Sequence, residues 1–289
     1  MKELLITGGC SFTAHKAKEH LAWPWHFRGV YSKKGIWVEN VAEMASGNSL
    51  IYRNLIAGIE RLKKTNKTIT VAVMWSNPNR FELLIDREMP EFKSMFDDFK
   101  NSTTFTNQIL GKGVIYTHVV ENWLKSGGGF GQWQHKNNHA NQLHKNYLKY
   151  IHSEKLQFLQ TLENIVHLQQ YCELNQIPLI NLTWENIFLG VSDITGSNVK
   201  QDKSNLLPYI DSIPTAKYLW DMIKWENWWF YGEYGGLKEY CIDNGYPYVN
   251  GNHPCTDCQL NFAMDIVYPL YKKAQEKVGR KKQSPYIYI

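Results

Sequence analysis

Apolar residues along this chain follow two rhythms. Short unbroken runs alternate with longer stretches in which apolar positions recur every three or four residues. Leu4–Thr7, Ile36–Val41, Thr68–Trp75 and Leu179–Thr183 are runs of the first kind, rich in Val, Ile and Leu. Such runs, bounded by turn-forming residues, predict buried strands. Asn48–Lys64 carries apolar residues at 50, 51, 55, 56, 59 and 62. Ser153–Asn175 carries them at 156, 159, 162, 165, 166 and 168. Both spacings predict helices with one buried stripe. Leu237–Asp243 predicts a short helix, and Thr256–Lys273 a last one with Thr256 as its N-cap.

Strands taking turns with helices predict an α/β fold, a three-layer α/β/α arrangement with a parallel sheet covered on both faces. Two stretches break the rhythm. Residues 86–150 are polar, with Gly127, Gly128 and Gly129 in a row, and residues 185–232 are rich in aromatics. Both read as insertions of a single domain spanning 1–289. They are expected to form a cap above the carboxyl ends of the strands, where ligands bind in such sheets.

Composition narrows the class. The chain has 289 residues, 43% of them hydrophobic, enough to bury a sizeable core. A net charge of +5, with the only basic run at Gly279–Lys282, argues against a nucleic-acid partner. No run approaches the roughly 20 apolar residues that span a bilayer, and the opening apolar run is too short for a secretory signal. A soluble cytoplasmic protein is therefore expected, with its five cysteines (Cys10, Cys172, Cys241, Cys255, Cys258) as reduced thiols. His135, His139 and His144 lie close together but lack Cys or carboxylate neighbours at metal-ligand spacing, so no metal is expected there. The 11 Trp and 17 Tyr are partly clustered: Trp220, Trp225, Trp228, Trp229, Phe230, Tyr231 and Tyr234 fall within fifteen residues. This cluster is either a packed cap or a platform for a sugar.

Four short blocks carry the candidate chemistry. Gly8-Gly9-Cys10-Ser11 follows the first strand, and Ala45-Ser46-Gly47-Asn48 follows the second and opens a helix. Trp75-Ser76-Asn77-Pro78-Asn79-Arg80 follows the third, and Asn252-His253-Pro254 precedes the last helix. A serine hydroxyl is a weak nucleophile that needs a base, and a neutral imidazole serves near pH 7. A tetrahedral intermediate needs preorganised N–H donors, each worth roughly 3–4 kcal/mol. Backbone N–H groups of Ser11 and Gly47, at strand-to-helix turns, are suited to that.

The order of these blocks resembles the SGNH hydrolase (GDSL-type esterase) superfamily, in particular its divergent phage and bacterial members. The likeness runs from Leu4 to about Tyr271, apart from the two insertions. It implies a flavodoxin-like sheet, Ser11 as nucleophile, His253 as base and Gly47 as backbone oxyanion donor. It also implies a side-chain donor from the third block, for which Asn77 is the nearest match and Asn48 a competitor. No cofactor is implied. The substrate expected is a small acyl ester, such as an O-acetylated carbohydrate, contacted by Arg80, Trp75, Trp228 and Trp229. For Arg80 and Glu82 an ion pair is the other reading.

One position departs from the family pattern. The usual D-x-x-H block reads Asn250-Gly251-Asn252-His253, and an amide does not stabilise an imidazolium as a carboxylate does. Three arrangements follow: a Ser–His dyad, a triad completed by Asp257 or Asp243, or a decayed hydrolase used as a carbohydrate-binding or virion component. A separate reading pairs Pro254-Cys255-Thr256-Asp257-Cys258 with His152-Ser153-Glu154, as the two halves of a zinc deaminase signature. His152, Cys255 and Cys258 would then hold zinc, with Glu154 moving the proton.

Overall fold

The computed structural model describes residues 3–18, 21–44, 46–65, 68–78, 80, 82–84, 123–125, 146–147, 149–188, 210, 213–233, 235–249 and 253–283. Most of 86–150, including His135, His139 and His144, lies outside this set, as does Asn250.

Four strands build a parallel sheet: β1 (Glu3–Gly8), β2 (Ile36–Asn40), β3 (Thr68–Trp75) and, after two short strands named below, β6 (Leu179–Thr183). Their spatial order is β2-β1-β3-β6, every pair parallel. Side chains alternate across a pleated strand, and the alternation splits the interior in two. Leu4, Ile6, Val71, Val73 and Trp75 face one side, where they meet α3 (Asn48–Leu62) and α4 (Glu154–Leu174). Leu5, Ala72, Met74, Ile180 and Leu182 face the other. There they meet α2 (Trp23–Tyr31) and the carboxy-terminal helices. Seven of the eight residues of β3 are buried, as a strand covered on both faces requires.

The first described helix, α1 (Ser11–Ala14), is a single turn. α5 (Pro214–Met222) packs on α4, and α6 (Leu237–Asp243) precedes the short antiparallel pair β7 (Tyr248–Val249) and β8 (His253–Pro254). The last helical stretch runs continuously from α7 (Thr256–Asn261) through a π-helical stretch (Phe262–Val267) into α8 (Tyr268–Gln283). The wide turns fall just before Pro269, which has no N–H to give the preceding turn. The N-cap is Cys255 rather than Thr256; the Thr256 hydroxyl instead donates to Lys18 O at 2.7 Å. A second antiparallel pair joins β4 (Glu82–Leu84), just before the first insertion, to β5 (Trp123–Lys125) within it.

The described aromatic residues of the second insertion pack into the core. Phe188, Trp220, Trp225, Trp228 and Phe230 pack on one another with ring centroids 4.2–6.4 Å apart, and they extend the core on the α3/α4 face. Trp228 bridges to Asn181, and Trp229 N donates to Asn181 O at 3.0 Å. The segment thus covers the outer edge of β6, which would otherwise present unpaired backbone groups.

The cysteine expectation is corrected. Cys241 of α6 and Cys258 of α7 form a disulfide and are both fully buried, while Cys10, Cys172 and Cys255 are free. The two partners lie 17 residues apart, and closing such a loop removes chain entropy worth about 3 kcal/mol. Replacing both by serine is expected to lower unfolding free energy by about that amount, read as a lower urea midpoint.

Burial also holds two acids in their neutral forms. It pushes the Cys172 thiol up to about 12, and it is the first cause that pushes the Tyr240 phenol up to about 12. In the unfolded chain these groups ionise near 9 and 10. The native state holds their protons more tightly, so their contribution is complete below about pH 9 and is lost as pH rises towards 12. The urea midpoint should fall between pH 8 and pH 11. At pH 8 iodoacetamide should modify the part-exposed Cys255 and spare Cys172.

Candidate active site

Ser11 opens α1 directly beyond the carboxyl end of β1. The turn that delivers it depends on Gly9, where a Cβ would run into Thr13 Oγ1 and come within 3.1 Å of the Met74 carbonyl oxygen. Asn40, at the end of β2, secures the same turn. Its Oδ1 accepts from Thr7 Oγ1 at 3.0 Å and from Ala42 N at 3.1 Å, and its Nδ2 donates to Thr13 O at 2.7 Å. Ser11 is partly exposed, and the N–H of His15 donates to its carbonyl at 3.2 Å.

His253 lies far away in sequence but against this turn in space. Its ring centroid is 4.8 Å from that of Phe12 and 4.5 Å from that of His15, the second contact edge-on at 78°. Phe12 is backed by Trp184, stacked at 3.9 Å and 9°. The imidazole therefore sits between two rings carried by the serine's own turn. Gln259 and Thr256 make this juxtaposition. Gln259 is 1% exposed; its Oε1 accepts from Trp23 N at 3.0 Å and its Nε2 donates to Phe12 O at 3.5 Å. Thr256 Oγ1 accepts from Leu21 N at 3.3 Å while donating to Lys18 O.

None of Gln259, Trp184 or His15 stood out in the sequence. Trp184 had a usable signal, as the first residue past the carboxyl end of a buried strand. A buried glutamine inside a helix carries none.

The second and third blocks meet at the amino end of α3. Gly47 is the N-cap, with β-region backbone, and α3 runs 15 residues behind it. Asn48 ties this end to the exit of β3: its Oδ1 accepts from Ser76 N at 2.8 Å, and its Nδ2 donates to Ser76 O at 2.9 Å and Thr161 Oγ1 at 3.0 Å. Both amide hydrogens of Asn48 are thereby used, so it holds the corner together rather than offering an oxyanion donor. Asn77, next in the chain, is partly exposed at the turn that Arg80 N closes onto Asn77 O at 3.1 Å. The Gly47 N–H donates to a carboxylate oxygen of Glu82. A Cβ at Gly47 would lie 2.6 Å from Arg80 O and 2.7 Å from Glu82 Oε1, so only glycine lets the segment carrying residues 80 and 82 come this close.

Several expected contacts are corrected. Trp75 is wholly buried and its Nε1 donates to Asn181 Oδ1 at 2.9 Å, which makes it a core residue rather than a substrate contact. Trp228 is likewise buried, whereas Trp229 packs on Phe262 at 5.3 Å and stays partly exposed. Asp257 acts electrostatically on His26, and Asp243 is exposed at the end of α6. Asn250 lies outside the described residues. The zinc reading loses a ligand, because Cys258 is consumed by the disulfide. Among the described residues no group of three or more His, Cys, Asp or Glu side chains is placed to hold a metal.

A cavity of about 700 Å³ opens at the opposite, amino end of β6, lined by Lys224, Lys273, Lys277 and Glu173 among others. None of the candidate catalytic residues lines it. No described helix is long and apolar enough to cross a membrane. A scan against models of known protein families finds no match, and a search of curated proteins finds no relative.

Proposed function

We propose that this protein is a serine ester hydrolase of the SGNH type, on a flavodoxin-like scaffold, that removes a small acyl group. The observation that carries the reading is the packing of the His253 ring against Phe12 and His15, the residues that flank Ser11 on its own turn. Strand order adds support: β1 and β3 are central, and helices leave β1 and β2 on opposite faces of the sheet. Ligands in open parallel sheets bind where the chain reverses its direction of winding, outside the carboxyl ends of the strands. Ser11, Gly47 and Asn77 all lie there.

In the proposed reaction His253 takes the Ser11 proton as Oγ bonds to the ester carbonyl carbon. The oxyanion is held by the N–H groups of Ser11 and Gly47 and by the Asn77 amide. On collapse the carbon–oxygen bond to the alcohol breaks, and His253 returns the proton to it. Water, deprotonated by His253, then attacks the acyl-enzyme, releases the carboxylic acid and restores Ser11. With Asn250 in place of the usual acid, the catalytic unit is a Ser–His dyad whose imidazole is oriented by the rings of Phe12 and His15. The carbohydrate expectation is weakened, because the aromatic cluster behind it is turned inward.

A second reading, a binding protein on the same scaffold, draws on the Glu82 carboxylate that sits on the Gly47 N–H. Covalent capture by a fluorophosphonate separates the two. Labelling that requires Ser11 and His253 supports the hydrolase; a folded protein that never labels, in any variant, supports the binder.

A further inference from the structure

The amino end of α3 holds more polar groups than its own hydrogen bonds use. Ser46, fully buried, precedes the N-cap, and Ser76, 2% exposed, is locked beside it by Asn48. The hydroxyls of both, and one buried guanidinium nitrogen of Arg80, have no hydrogen-bond partner among the described residues. Buried polar atoms without partners are costly. Two of these side chains are neutral hydroxyls and one is a cation, on residues that precede Gly47, bond to Asn48 or bring their backbone against Gly47 at the positive end of a 15-residue helix. That is the chemistry of an anion site.

An anion is already there, and it belongs to the chain. Glu82, the first residue of β4, accepts the Gly47 N–H. Its charge also acts on Tyr147: burial is the main cause that raises the Tyr147 phenol, a hydrogen bond from Gln157 opposes it, and the charge of Glu82 adds to it. Glu82 therefore occupies the donor that an ester's oxyanion would need. A carboxylate oxygen there mimics both the developing oxyanion and the acid product.

We propose that the amino end of α3 is a small-carboxylate binding site, and that Glu82 fills it as an internal stand-in for the acid product, closing the oxyanion donor until substrate displaces it. The binding half stands on the geometry alone; the catalytic half rests on the hydrolase reading. Two readouts keep them apart, using Glu82→Ala and Glu82→Gln in the full chain.

The first readout is thermal melting with sodium acetate against sodium chloride at equal ionic strength. Acetate should raise the melting temperature of Glu82→Ala and leave the wild type unmoved, because only the variant has a vacant site. Equal responses to both salts, or to both proteins, would overturn the site. The second readout is the rate of fluorophosphonate labelling. Glu82→Ala should label about tenfold or more faster than wild type, since a regained oxyanion donor is worth that and more; Glu82→Gln, whose amide oxygen can still accept the Gly47 N–H, should label more slowly than Glu82→Ala, and acetate should slow Glu82→Ala alone. Labelling at or below the wild-type rate in both folded variants would overturn the blocking role. Acetate-specific stabilisation with no labelling in any variant would mean that the serine reading, not the site, has failed.

Discussion

Ser11→Ala is expected to abolish covalent capture of a fluorophosphonate, and His253→Ala to slow it by about 10⁴-fold or more. In the proposed reaction the serine oxygen is the only atom that can bond to phosphorus as fluoride leaves, so its loss has no remedy. The imidazole lowers the barrier by accepting the proton, and histidine losses in comparable hydrolases fall in the same range. Both variants should keep the wild-type melting temperature within a few degrees. Ser11 and His253 are only partly buried, and their neighbours are held by other groups: Asn40 secures the turn, and Gln259 and Thr256 hold the last helix against it. Unchanged labelling in Ser11→Ala would place the reactive group elsewhere. Loss in Ser11→Ala with full labelling in His253→Ala would remove His253 as the base and leave the serine activated by something else. His15→Phe, which keeps a ring against His253, should label near the wild-type rate, whereas His15→Ala should be slower if the ring contact orients the imidazole.

Asn48→Ala is expected to cost about 3–5 kcal/mol of stability, the largest effect of any single polar substitution near the site. Three hydrogen bonds disappear, from Ser76 N and to Ser76 O and Thr161 Oγ1. At about 1–1.5 kcal/mol net for each, the three bonds account for that range. Asn48 and Ser76 are 3% and 2% exposed, so water cannot take over without opening the corner. The measurement is the urea midpoint, with the slope unchanged if the unfolded state is unaffected. Asn48→Asp keeps only the acceptor for Ser76 N and should do no better. A loss below about 1 kcal/mol in Asn48→Ala would mean that the tie between α3 and β3 is not what holds this corner.

Strands read most clearly from the sequence. Thr68–Trp75 and Leu179–Thr183 form with the bounds the apolar runs predict, and Leu237–Asp243 forms as the helix expected. α4 falls one residue inside the predicted span at each end, with Ser153 Oγ capping Leu156 N at 3.3 Å. Helix α2 went unread because Trp23-Pro24-Trp25 carries no clear period; its Trp23, Phe27 and Tyr31 are buried against Phe262, Tyr271 and Tyr268 of the last helical stretch. The aromatic segment left two readings open. Its composition suits a binding platform and a core equally well, and only the position of α4 and the open edge of β6 made it core.

The chemistry divides along the same line. By itself the sequence determined the alternation of strand and helix, the parallel sheet that follows from it, and the four blocks at strand ends and helix starts. Those are local properties, written in periodicity and in turn residues within a few positions of one another. The tertiary structure alone decided that His253 meets the Ser11 turn, that Asn48 is spent on Ser76, that Cys258 bonds Cys241 rather than a metal, and that Glu82 rests on the Gly47 N–H. Each of these depends on partners brought together from separate parts of the chain. Which partner wins is settled by the packing of the two faces of the sheet, and no local pattern encodes that choice.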